Sequence, residues 1–344
     1  MRYRMLGRSG TAVTVQALGT MTFGHEADEE TSFRIMDAYV AAGGNFIDTA
    51  NRYSMGTSEE IIGRWLASRP SEAEQMVIAT KGRFPMGRQG PNDHGLSRRH
   101  LARALDDSLR RLRVERIDLY QAHGWDALTP VEETVEFYAD AIRAGKIAYY
   151  GFSNVLGWQL TKIVHTARAL GLPQPVTLQP QYSLLVRGIE HEIVPAALDA
   201  GIGLLPWSPL GGGWLTGKYR RDEPPAGATR LGEDPQRGME AWEKRNANPT
   251  TWRVLEAVAS VAAAHGASSS QVALAWLDAQ PGVTSVILGA RTVEQLTDNL
   301  GAIELQLTGE ELERLSAAST PQVEDYPYGP PAVEQRSRKI EGGR

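Results

Sequence analysis

Residues 45–63 read NFIDTANRYSMGTSEEIIG, and the rest of the chain is arranged about what this stretch implies. The apolar pair Phe46-Ile47 predicts a short strand that stops on an acid, Asp48. Tyr53 follows five residues later, and Thr57-Ser58-Glu59-Glu60 precedes the apolar pair Ile61-Ile62. A hydroxyl and a carboxylate within one turn satisfy free backbone N–H groups, so this pattern predicts a helix start. An acid and a phenol therefore fall in a strand-to-helix loop, the edge of α/β proteins where chemistry collects.

The same unit recurs along the chain. Short apolar runs at 15–19, 46–48, 76–81, 117–123, 148–154, 176–182, 203–208 and 285–290 predict strands. Helical periodicity is expected near 30–42, 58–68, 98–112, 131–144, 157–170, 190–200, 251–265, 269–279 and 292–300, with glycine often at the end. Strict βα alternation implies a parallel sheet, and eight units favour closure into a (β/α)8 TIM barrel over a doubly wound open sheet. Residues 1–13 read as a hairpin, and 211–250 as a long Gly/Pro-rich insertion. A helix near 309–318 closes a single domain spanning 1–320. The remainder, 321–344, reads as a loop-like or partly disordered tail, and its IEGGR ending resembles either a protease-tag scar or a native end.

Bulk properties narrow the function. The 344 residues carry a formal net charge of -5, which argues against a nucleic-acid surface. A hydrophobic content of 42% with 22% charged residues is that of a globular protein. No cysteine is present, which rules out a disulfide framework, a thiol nucleophile and thiolate metal ligands. The start, MRYRMLGRSG, lacks the apolar core of a secretory signal, and no run is long enough to span a membrane. Together these place the chain in the cytoplasm, with neither membrane nor nucleic acid as partner; self-association is left open.

Three predicted strands end on ionisable residues, Asp48, Lys81 and His123. In a barrel they sit side by side on one rim, with Tyr53 in reach. Taken singly each has a bland reading: a loop aspartate, a solvated lysine, a structural histidine, a rim aromatic. Their conjunction on consecutive strands supports chemistry. A phenol titrates near pH 10, and a neighbouring ammonium stabilises its anion, so Lys81 is expected to lower the Tyr53 value. Asp48 would hold the ammonium, and His123 would orient a carbonyl oxygen towards the phenol. Such a group protonates a developing alkoxide and needs no metal; the histidines form no HxH or HExxH pair.

NFIDTANRY, ATKG (79–82), DLYQAH (118–123), GFSN (151–154) and PWSPLGGGWLTGKY (206–219) together resemble the aldo-keto reductase superfamily, in the bacterial branch related to potassium-channel β-subunits. The resemblance runs from Leu6 to about Thr320 and implies an NADP(H)-dependent reductase of aldehydes or ketones with Asp48, Tyr53, Lys81 and His123 as catalytic residues. It implies Gly19, Thr20, Met21 and Asp48 near the nicotinamide, Ser153, Asn154 and Gln179 on its carboxamide, and Trp207 stacked on its ring. Ser208, Leu210, Gly212 and Lys218 would form a strap over the pyrophosphate. Gly289, Arg291, Gln295 and Asn299 would take the adenosine end. Gly289 stands where many relatives carry lysine, which leaves Arg291 as the cation for a 2′-phosphate.

Substrate contacts are expected from Tyr53, His123, Phe23 and Trp125, with Trp214, Tyr326 and Tyr328 as further mouth candidates. A sensor or regulatory subunit that holds NADP(H) without turnover is the competing function, and a keto-sugar reductase in deoxysugar synthesis is a variant of the first. GGWLTGK (212–218) has P-loop spacing, but Tyr219 replaces the required Ser or Thr. Gly201-Ile202-Gly203 lacks the third glycine of a Rossmann fingerprint.

Overall fold

The structure, a computed structural model, describes residues 1–87, 90–227, 229–236, 238–323, 325–330 and 332. It opens with an antiparallel hairpin, β1 (Tyr3–Met5) and β2 (Ala12–Thr14). Eight strands follow: β3 (Gln16–Gly19), β4 (Phe46–Asp48), β5 (Val77–Gly82), β6 (Ile117–Ala122), β7 (Ile147–Ser153), β8 (Thr177–Gln179), β9 (Gly203–Leu204) and β10 (Val286–Gly289). They pair in parallel in the order β10-β3-β4-β5-β6-β7-β8-β9. The sheet curls round on itself, because the Leu204 N–H donates to Gly282 O at 2.8 Å and the Ile287 N–H to Pro206 O at 2.9 Å. This is the expected (β/α)8 architecture, with the hairpin at its start.

Strand interiors follow from residue parity, since successive side chains point to opposite faces. Ala17, Phe46, Val77, Ala79, Leu119, Leu205 and Ile287 form one buried cluster inside the sheet, and Leu6 and Val13 of the hairpin join it. The opposite parity (Leu18, Ile47, Ile78, Tyr120, Leu178) packs outward against the helices in the larger cluster. Gly7, at φ +54, lies so close to the strands that a Cβ there would meet Val176 O at 1.9 Å. The turn of the hairpin therefore requires glycine twice over, for its dihedral and for space.

Two strands are shorter than their apolar runs. β8 stops at Gln179 before Pro180, and β9 stops before Pro206, because proline cannot donate to a ladder. The insertion at 211–250 is better ordered than its composition suggests. Trp214 and Trp242 stack at 5.1 Å and 11°, and Trp252, Tyr219 and Leu231 complete a satellite core. Helices Arg98–Leu112, Val131–Arg143, Gly157–Ala169, Pro249–His265, Ser269–Asp278 and Gly309–Ser319 fall close to their expected bounds. Among the described residues no helix is long and apolar enough to cross a membrane. The IEGGR ending lies outside the described residues.

At the hairpin end of the barrel a buried acid ties the layers together. Asp278 accepts from Gln16 Nε2 at 3.2 Å, while the Arg4 guanidinium donates to the Asp278 carbonyl at 2.8 Å and to Val283 O at 2.7 Å. Its Oδ1 has no hydrogen-bond partner, and burial pushes the carboxyl up to about 7 from an ordinary 3.8. Between those values the folded chain keeps a proton that the unfolded chain has released, so stability is full below the lower value and falls as pH rises through the upper one. Asp278→Asn should flatten this dependence and exceed the wild type above neutrality by more than about 1 kcal/mol. Urea unfolding of both proteins between about pH 4 and pH 8 measures it, and a stability difference that does not shift in favour of Asp278→Asn as pH rises across this window would contradict it.

Candidate active site

The parity that fills the barrel core also sets its upper layer. Asp48 shares a face with Phe46, Lys81 with Val77 and Ala79, and Gln121 and His123 with Leu119. Ser153 and Gln179 end β7 and β8 opposite each other in the register. Five neighbouring strands thus turn polar side chains into the mouth of an otherwise apolar tube.

At its centre lies an ion pair with both side chains almost fully buried: Lys81 Nζ donates to Asp48 Oδ1 at 2.6 Å. The same ammonium donates to Thr49 O at 2.8 Å and to Tyr53 Oη at 3.3 Å. An ammonium has three N–H groups, and each has an acceptor. Asp48 Oδ2 accepts from Gln179 Nε2 at 2.9 Å and from Gln121 Nε2 at 3.3 Å. Because Tyr53 Oη already receives a hydrogen from Lys81, its own hydrogen is directed elsewhere.

The Tyr53 loop is tight and strained. Ser54 and Met55 take positive φ values of 46° and 53°, and Ser54 Oγ donates to Phe23 O at 2.8 Å. The helix after it, Thr57–Ser68, is entered through Gly56 at φ 100° with no side-chain cap, contrary to the capping role expected of the Thr-Ser-Glu-Glu run. Those residues are spent on tertiary bonds instead. Ser58 Oγ donates to Thr20 O at 2.9 Å, and Glu59, fully buried, accepts from Thr80 Oγ1 and Arg111 Nε at 2.6 Å each. The first turn packs against the loop after β3, against β5 and against the helix Arg98–Leu112, and those contacts claim the side chains that would otherwise cap it.

His123 meets Tyr53 edge-on at 5.9 Å and Phe84 at 5.0 Å between ring centroids. Burial, with the Lys81 and Arg83 charges, pushes its imidazole down to about 3, so it is neutral at physiological pH. Burial raises the Tyr53 phenol above its ordinary value; the Lys81 ammonium pulls down and the Asp48 carboxylate adds to the rise. The expected net lowering of Tyr53 is therefore reversed, because desolvation of a phenolate outweighs one ammonium. Burial is also the largest influence on Lys81 and opposes its charge, but Asp48 and Tyr53 together leave its value raised.

Asp48, Tyr53 and His123 line one end of a cavity of about 860 Å³. Every residue expected at a cofactor lines it too: Gly19, Thr20, Met21, Ser153, Asn154, Gln179, Trp207, Ser208, Leu210, Gly212, Lys218, Gly289, Arg291, Gln295 and Asn299. Trp207 Nε1 donates to Asn154 Oδ1 at 3.0 Å, and Asn154 Nδ2 to His123 O at 3.2 Å, so the indole is fixed beside the polar cluster. A family model described as "Aldo/keto reductase family" matches residues 17–320.

The chain belongs to the aldo/keto reductase family.

Its relatives include "Uncharacterized oxidoreductase YrpG" of Bacillus subtilis, 41% identical over 92% of this chain and 95% of that protein. A "Probable voltage-gated potassium channel subunit beta" of Oryza sativa is 36% identical, covering 92% and 96%. The "Aryl-alcohol dehydrogenase [NADP(+)]" of Phanerodontia chrysosporium is 32% identical, covering 95% and 88%.

In this aldo/keto reductase the cavity also holds Arg291, on the loop after β10. Its guanidinium pairs with Glu26 at 3.0 Å and Glu233 at 3.5 Å, and its backbone N–H donates to Gln295 Oε1 at 2.9 Å. Thr22 Oγ1 donates to Ala290 O at 2.9 Å, which joins the first and last strand-to-helix loops.

Several substrate-side expectations need correction. Phe23 is fully buried in the core under the first loop and cannot touch a substrate. Trp214 is likewise fully buried, consumed by the satellite core. Trp125 packs edge-on against Trp158 at 5.7 Å, outside the cavity lining. Tyr326 is exposed, and Tyr328 stacks on His191, also outside the lining. An aromatic residue in a loop can serve the loop's own packing as readily as a ligand, and sequence carries no mark of which.

Phe84, Gln181 and Glu240 line the cavity and were not anticipated. Phe84 had a signal, an apolar residue just past the strand carrying Lys81. Glu240 had none; it accepts from Gln181 Nε2 at 2.6 Å and Arg245 Nε at 2.7 Å only because the insertion folds back. Among the described residues no cluster of His, Asp or Glu suits a metal.

The site makes two checkable demands. The His123 imidazole should stay neutral from about pH 5 to 8 by NMR titration, and a midpoint inside that range would contradict its environment. Lys81→Met should cost about 3–5 kcal/mol in chemical denaturation, because it leaves a buried carboxylate without its counter-charge.

Proposed function

We propose that the chain reduces an aldehyde or ketone to an alcohol with NADPH, with Tyr53 as proton donor. The observation that carries this reading is the Lys81 Nζ to Tyr53 Oη contact at 3.3 Å, at the wall of a cavity of about 860 Å³, within the volume range of ligand and cofactor sites. With Lys81 donating to that oxygen, the phenol hydrogen is left for a carbonyl oxygen in the cavity.

The donor set of the cavity fits a nicotinamide dinucleotide. Ser153, Asn154 and Gln179 offer amide and hydroxyl partners, Trp207 offers a flat apolar face, and Arg291 supplies a cation in the same lining. A reduced nicotinamide held by these residues would supply the hydride for the carbonyl carbon. Neutral His123 donates one N–H to the carbonyl oxygen and holds it near Tyr53. As negative charge develops on that oxygen, Tyr53 Oη releases its proton to it. Lys81 stabilises the phenolate left behind, and Asp48 keeps Lys81 charged in a site that burial would otherwise neutralise. Phe84, Met21 and Trp207 give the substrate end apolar walls, which favours uncharged carbonyls with an apolar or aromatic body.

Relatives named as channel β-subunits favour a second reading, in which the chain binds NADP(H) and turns over negligibly. Consumption of NADPH with a panel of aldehydes separates the two. Tyr53→Phe should lower kcat by at least about 100-fold while leaving NADPH affinity near that of the wild type, since the lost group acts on the reacting oxygen. Retention of full turnover in that variant would sink the assignment. Arg291→Met should weaken NADPH binding about tenfold more than NADH binding, measured by fluorescence titration. Equal effects on both cofactors would remove Arg291 from 2′-phosphate recognition and with it the preference for NADPH.

A further inference from the structure

Gln121 lies in β6 one turn of the strand pleat before His123, is fully buried, and does not line the cavity. Its Nε2 donates to Asp48 Oδ2 at 3.3 Å, while its Oε1 is buried with no hydrogen-bond partner. A buried amide with an orphaned carbonyl is unfavourable, and a leucine or methionine of similar size would fill the same space without that cost. Rotating the amide would not help, because it would set the carbonyl against a carboxylate. The chain therefore keeps a destabilising group whose single polar contact is with Asp48.

We infer that Gln121 is a positioning residue for the reaction: with Gln179 it holds the outer oxygen of Asp48, so that the carboxylate presents Oδ1 to Lys81 and its charge is spread away from Tyr53. This rests on the proposed role of Tyr53 as proton donor. The two amides differ in what they face. Gln179 lines the cavity and can meet whatever binds there, whereas Gln121 is fully buried inside the barrel, away from the cavity lining, and gives a constant contribution. Each N–H bond to a carboxylate draws off part of its negative charge. Removing one concentrates charge on Asp48, tightens its hold on the Lys81 ammonium and disfavours the neighbouring phenolate. Tyr53 then becomes a weaker acid, and proton donation slows without any change in cofactor contacts.

The test compares wild type with Gln121→Met and, as a second shape, Gln121→Leu. Three readouts are needed: thermal stability, the split of kcat against KM for NADPH, and the titration of Tyr53. The last is read from phenolate absorbance as the difference between each protein and its Tyr53→Phe counterpart, so it does not depend on turnover. The expected result is a folded variant with unchanged or higher melting temperature and unchanged KM for NADPH. Its kcat falls about three- to tenfold, the order that a shift of half a unit to one unit in the acid produces. Its Tyr53 titration, and the descending limb of the pH–rate profile, move up by about half a unit or more. A folded variant with an unmoved Tyr53 titration overturns the inference, as does failure of both variants to fold, which would make Gln121 a residue of the barrel core alone. If the wild type reduces no carbonyl in the panel, the proposed function fails by itself, and the Tyr53 titration still decides the role of Gln121.

Discussion

A lysine and an aspartate, both out of contact with water, set the terms for the rest of the mouth of this barrel. Taking two charges out of solvent is costly, and the cost is recovered only when geometry is good and every remaining donor and acceptor is met. Both conditions hold here. Lys81 spends its three hydrogens on Asp48, Thr49 O and Tyr53, and Asp48 receives two amides on its second oxygen. A pair so enclosed contributes little to stability compared with apolar packing. Its value lies in pointing one N–H of a fixed cation at a phenol, in a place where solvent does not blunt the field.

The barrel supplies that geometry through register. Five adjacent strands build the site, and four of them carry the pair and its two amides on the side chain that parity turns inward: Asp48 from β4, Lys81 from β5, Gln121 from β6 and Gln179 from β8, with β7 providing Ser153 between the last two. Side chains on strands are held by the sheet, whereas Tyr53 comes from a loop and has to be held separately. Positive φ at Ser54 and Met55, and the bond from Ser54 to Phe23 O, do that work. Backbone strain of this kind persists where the surroundings over-determine it, and it is found here beside the group that reacts. Phe23 thus matters to the site as a buried anchor beneath the Tyr53 loop.

Most of this was legible in the chain before its fold was in view, for identifiable reasons. Apolar runs ending on Asp48, Lys81 and His123 are readable because parallel strands buried on both faces read as near-continuous apolar runs, and an ionisable residue at the same point of three successive strands stands out. Helix bounds were readable from periodicity and terminal glycines. Three kinds of feature were not. Whether Ser58 and Glu59 cap a helix or brace two strands depends on what packs over the first turn. The direction of the Tyr53 shift depends on the balance of burial against one ammonium, and burial is a property of the fold. The contacts of Glu240 and Trp214 arise from a segment of mixed composition folding onto a core of its own tryptophans, and no local pattern announces it.

The chemistry of the site turns on Lys81 being an ammonium that donates to Tyr53 Oη, which leaves the phenol hydrogen facing the cavity. Neutron diffraction from deuterated crystals tests this directly, because it locates the hydrogens themselves. Three deuterons on Lys81 Nζ, one of them on the line to Tyr53 Oη, with the tyrosine deuteron turned into the cavity, is the predicted result. A neutral Lys81 accepting the Tyr53 deuteron would contradict the account.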